Sequence, residues 1–85
     1  MVKNKAGIHA RPASMIAQIA SKFISEIYIR KDEGFPGWMN GKSLLGILSL
    51  EIFYGDKATV RCDGPDEKEA MRSIAKLFLE KFKEE

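Results

Sequence analysis

Thiols and imidazoles are almost missing from this chain: Cys62 is its one cysteine and His9 its one histidine in 85 residues. One thiol cannot close an internal disulfide, and one imidazole beside it leaves a structural metal little to bind. No metal or cofactor is therefore expected. Excess charge is lacking too. The formal net charge of +2 is too small to argue for nucleic acid by itself. No apolar run is long enough to span a bilayer, and no charged start with an apolar core marks a signal peptide. A reduced, cytoplasmic domain without membrane insertion is the default expectation. No repeat, low-complexity tract or linker interrupts residues 1–85, which read as one small domain near the lower end of the range that folds unaided.

What is present is a run of short amphipathic elements. From Ala10 to Phe23, the residues Ala13, Ile16, Ala17, Ala20 and Phe23 fall at helical spacing. "EIYIR" alternates, with Ile27 and Ile29 on one face and Glu26, Tyr28 and Arg30 on the other, as in a strand. "KDEGFPG" is dense in turn formers, and "WMN" reads as a short strand after it. "KSLLGILSL" has the look of a short helix that Gly46 weakens. "KATVRC" alternates again, placing Ala58, Val60 and Cys62 together. The last helix opens with Asp66 as N-cap and Glu69 three residues on, the spacing of a capping box. Its stripe is Ala70, Ile74, Leu77 and Phe78, and Lys81 and Lys83 follow where the dipole favours cations. The order, short β–α–β–β–α–β–α, is that of an α+β domain: an antiparallel sheet with helices on one face.

"GIHARPAS", Gly7 to Ser14, concentrates the chemistry. Gly7 permits a turn and Pro12 suits the first turn of a helix, which puts His9 or Ala10 at the N-cap. Unpaired N–H groups of that turn, with the dipole, form an anion site. Arg11 can grip a phosphate with two hydrogen bonds. An unprotonated imidazole is a nucleophile able to carry a phosphoryl group. The plainer reading is that His9 only caps the helix while Arg11 is solvated, and helix-start chemistry alone leaves both open.

"GIHARPA" closely resembles the active-site motif of the HPr family, the histidine-containing phosphocarriers of the bacterial phosphoenolpyruvate-dependent sugar phosphotransferase system. "NGKSLLGILSL" resembles the family's regulatory-serine segment, in a form more like the Gram-positive one, and the match extends over nearly the whole chain. The resemblance implies an open-faced β-sandwich with a four-stranded antiparallel sheet and three helices on one face. It implies that His9 takes a phosphoryl group on Nδ1 from Enzyme I and passes it to a sugar-specific Enzyme IIA, as a carrier rather than a turnover enzyme. Arg11 would support the transfer. Ser43 would be the target of an ATP-dependent serine kinase, with a catabolite-control transcription factor as a further partner. Two departures stand out. "MVKNKA" supplies only a stub of the family's first strand, so the sheet edge is expected to be shortened. "KDEGFPGW" is longer and more apolar than the family's usual hairpin, suited either to covering the sheet edge or to self-association.

Leu44, Leu45, Ile47, Leu48 and Leu50 crowd one short helix, more than a half-buried helix can hide. Leu44, Leu45 and Leu48, rimmed by Lys42 and Arg11 and joined by an exposed Met15, form the expected docking patch. In the family, this helix and the first one dock onto Enzyme I and Enzyme IIA. Cys62 reads as a buried structural thiol. Trp38, Phe35 and Tyr28, beside Arg30 and Lys31, read as packing or loop residues. Three alternatives are carried: a regulatory paralogue dominated by Ser43, which would not need His9; a nitrogen-branch phosphocarrier; and a small nucleic-acid-binding module using Arg30, Lys57 and Arg61.

Overall fold

A computed structural model describes residues 10–32, 37–53 and 55–83. Helix α1 covers Ala10–Ala20 and buries Pro12, Ala13, Ile16 and Ala20 on one stripe. It closes short of the expected Phe23. The last turn tightens, Lys22 N donating to Ile19 O at 3.1 Å and Phe23 N to Ala20 O at 3.2 Å. The next two N–H groups, of Ile24 and Ser25, then go to the Asp66 carboxylate, each at 2.9 Å, so no helical carbonyl receives them.

Strand β1, Glu26–Lys31, alternates as its sequence requires: Ile27 and Ile29 are buried, Glu26 and Arg30 exposed. It is the central strand. On one side it pairs antiparallel with β2, Met39–Asn40, placing Ile29 opposite Met39. On the other it pairs along its full length with β3, Ala58–Asp63, Ile27 facing Cys62 and Ile29 facing Val60. Trp38 stays outside β2, and its ring lies 4.9 Å from the Arg30 guanidinium carbon. The described residues thus give three strands in the order β2–β1–β3, not four. The expected first strand, "MVKNKA", and the loop centre at residues 33–36, with Phe35, lie outside the described residues.

Helix α2, Leu44–Leu48, has five residues, too few to be stable alone. Burial of Ile47 contributes about 1.5–3 kcal/mol, and the Ser43 cap about 1 kcal/mol. Gly46 lowers helix propensity, but a Cβ there would lie 3.3 Å from both Cβ and Oγ of Ser43. Close approach of the cap explains the glycine.

Helix α3, Glu67–Leu79, buries Ala70, Ile74 and Leu77. Asp66 does stand at its N-cap position, yet its side chain makes no capping bond, so the expected capping box with Glu69 does not form. Two backbone N–H groups and the Ser25 hydroxyl outcompete the single donor α3 could offer. At the other end the helix stops at Leu79, with Lys76 in its last turn; Lys81 and Lys83 fall in a short 3₁₀ turn beyond it. Lys81 and Phe82 take positive φ values of 52° and 55°. That reversal drives Phe82 into the core, fully buried and edge-on to Phe78 at 4.9 Å.

The core has two parts. Ala13, Ile16, Ile29, Ile47, Leu50, Ile52, Leu77 and Phe82 make the larger one, and Ala20, Ile27, Ala70 and Ile74 the smaller. All three helices contribute, packed on the sheet face that carries Ile27 and Ile29.

Candidate functional site

Arg11 is exposed in the first turn of α1, while Pro12 beside it is fully buried. The proline anchors this end of the helix in the core at no hydrogen-bond cost, because a first-turn N–H has no intrahelical acceptor. Ala10 already belongs to the helix, which removes it as a cap. His9, the residue immediately before, lies outside the described residues.

Ser43 precedes α2 in an extended conformation, φ −105° and ψ 114°, and its Oγ accepts from Gly46 N at 3.0 Å. Its own N–H is held by Asn40 O at 3.0 Å. The serine is half-buried and fixed on both sides. On the helix it opens, Ile47 points inward while Leu44 is 40% and Leu45 78% exposed. Leu48 is half-buried and packs on the larger core cluster.

Two residues assigned to the same patch are more enclosed than expected. Met15 is not exposed; it is half-buried in a groove between α1 and α3, with Ile19 and Leu77. Lys42 does not lie loose at the rim. Its Nζ donates to Phe23 O at 2.7 Å, beyond the carboxyl end of α1 and so at the opposite end from Arg11.

The Asp66 cluster was not visible as a site in the sequence. Its carboxyl is held below the ordinary value of 3.8, first by the Ser25 hydroxyl and then by the Ile24 N–H. Asp56 is lowered as well, chiefly by the Phe53 N–H at 2.8 Å and with help from Lys31, whose Nζ is 3.3 Å away. Both acids serve loop geometry. Cys62 is half-buried and its thiol is pushed up by burial, then by Glu67 and Asp66, which leaves it a poor nucleophile.

The outer face of the sheet is electrically balanced. Arg30 Nε lies 3.8 Å from Asp32 Oδ1, and Arg61 Nη2 lies 3.7 Å from Asp63 Oδ2. Tyr28 donates to Glu26 Oε1 at 2.8 Å, a bond that raises the phenol's pKa. Locally paired arginines make a weak phosphate track, which counts against the nucleic-acid reading. Among the described residues, no group of three or more His, Cys, Asp or Glu side chains comes together to hold a metal. No described helix is long and apolar enough to cross a membrane.

A protein-family model described as "PTS HPr component phosphorylation site" matches residues 1–80. The phosphocarrier protein HPr of Mycoplasma genitalium is 46% identical over 83 residues, covering 98% of this chain and 91% of that protein. The HPr-like protein Crh of Halalkalibacterium halodurans is 44% identical, covering 94% and 90%. The crystal structure of HPr-C-His from Thermoanaerobacter tengcongensis superposes with a TM-score of 0.90 at 43% identity, covering 99% of this chain and 91% of that one. Identity at this level over almost the whole length, on the same α+β fold, places the chain in the HPr family, among the phosphocarriers of the phosphotransferase system.

Proposed function

We propose that His9 is the phosphoryl acceptor of this phosphocarrier, taking the group on Nδ1 from phosphorylated Enzyme I and passing it to a sugar-specific Enzyme IIA. The observation that carries the reading is the start of α1 at Ala10, directly after His9 in "GIHARPA". A phosphoryl group on that imidazole meets the positive end of the helix and the first-turn N–H groups. The exposed guanidinium of Arg11 adds a movable counter-charge that can follow the group as it arrives and leaves. Leu44 and Leu45 supply apolar contact for both partner enzymes, with Leu48 beneath them.

Ser43 is the regulatory site in this reading. Phosphate oxygens on its Oγ can keep the acceptor role toward Gly46 N, so α2 need not unravel. Two negative charges beside Leu44 and Leu45 would then repel an acidic partner surface. A serine kinase writes this mark, and a catabolite-control transcription factor reads it. A purely regulatory paralogue is the less favoured reading, because His9 would have no task in it.

The test is incubation with Enzyme I and phosphoenolpyruvate. Wild type is expected to acquire an acid-labile, base-stable phosphate that His9→Ala cannot take up. Absence of label on wild type, where a known phosphocarrier is labelled, would sink the assignment. With the serine kinase and ATP, an acid-stable phosphate is expected that disappears in Ser43→Ala.

A further inference from the structure

One peptide group joins the ends of all three helices. The carbonyl of Phe23 accepts from Lys42 Nζ at 2.7 Å, and the N–H on the other side of that peptide, on Ile24, donates to Asp66 Oδ2 at 2.9 Å. Lys42 immediately precedes the cap of α2, Asp66 stands at the N-cap of α3, and the peptide belongs to the exit of α1. A cation pulls on the oxygen while an anion pulls on the hydrogen, so each bond polarises the amide in the sense that strengthens the other. Asp66 is itself fixed by Ser25 N at 2.9 Å and by the hydroxyl of the buried Ser25. The Lys42 backbone is fixed as well, its N–H donating to Asn40 Oδ1 at 2.9 Å. Neither end of the bridge is free to drift.

We propose that Lys42 is a positioning residue: bonded to the Phe23–Ile24 peptide that Asp66 holds from the other side, it sets the pose of α2 against α1. This inference rests on the reading above, in which partners touch the His9 end of α1 and the leucines of α2 together. It changes the role of Lys42. A rim cation would contact an acidic partner directly; a bridging cation acts through the spacing of two helices.

Steady-state phosphotransfer from Enzyme I and phosphoenolpyruvate separates the two roles. Lys42→Met and Asp66→Asn are each expected to raise the KM for the carrier roughly fivefold, the order of one net hydrogen bond, with kcat little changed. Lys42→Arg should restore most of the loss. The double variant should be no worse than the worse single one, because both substitutions break one bridge. The salt dependence of KM should keep the wild-type slope. An unchanged KM in Lys42→Met, additive losses in the double variant, or a flattened salt slope with Asp66→Asn silent would overturn the proposal.

If Enzyme I transfers nothing to wild type, the docking reading itself has failed. Amide exchange then decides the bridge. Faster exchange at Ile24, Ser25 and Ile47 in Lys42→Met supports it, and wild-type rates at all three refute it.

Discussion

Asp66 illustrates how far a residue's sequence context can mislead. An aspartate before an apolar helical stripe, with glutamate three residues on, signals a capping box. Here the carboxylate turns away from α3 to serve Ile24 and Ser25, residues more than forty positions earlier. The pH consequence has a definite sign. The folded pKa lies below 3.8, so the contribution of this group to stability is present above that value and is lost as pH falls through the depressed folded one. Asp66→Asn is expected to lower the urea midpoint at pH 7 and to flatten its fall between about pH 5 and 3. Equal acid sensitivity in variant and wild type would show that the clamp does not carry this dependence. The motif around His9 and Arg11 and the segment around Ser43 are legible for the opposite reason: each is a run of adjacent residues, which sequence displays directly.

At the scale of elements, α2 separates its duties by direction. Ile47 faces the core and Leu45 faces solvent, so the two can be altered independently. Leu45→Glu is expected to leave stability within about 0.5 kcal/mol while lowering kcat/KM for transfer from Enzyme I on the order of tenfold, as loss of an interface anchor does. A loss of transfer matched by a loss of fold would show that Leu45 supports the helix instead. The leucine excess was readable as a patch because five apolar side chains cannot all point inward from one short helix. Of the three leucines assigned to it, Leu44 and Leu45 are exposed and Leu48 is half-buried. The placement of Met15 failed on this ground: helical spacing gives an angle around α1, not the identity of the neighbour at that angle.

Over the whole molecule, the larger core is closed by Phe82, contributed after α3 has ended. Two successive residues with positive φ, Lys81 and Phe82, are unfavourable for side chains with a Cβ, so burial must outweigh their strain. Phe82→Ala is expected to cost about 3–5 kcal/mol, a large share of the roughly 5–15 kcal/mol typical of a domain. Urea denaturation followed by circular dichroism measures it, and a loss under 1 kcal/mol would mean the core closes without this ring. By itself, the sequence determined the family and the periodicity of α1, β1, β3 and α3. Each of these is written in spacing and short-range chemistry. Tertiary structure alone decided that Asp66 binds the exit of α1, that Lys42 Nζ bonds the Phe23 carbonyl, and that Phe82 turns inward. Those outcomes depend on which distant donor, acceptor or cavity lies within reach once the helices pack, and local patterns carry no record of that.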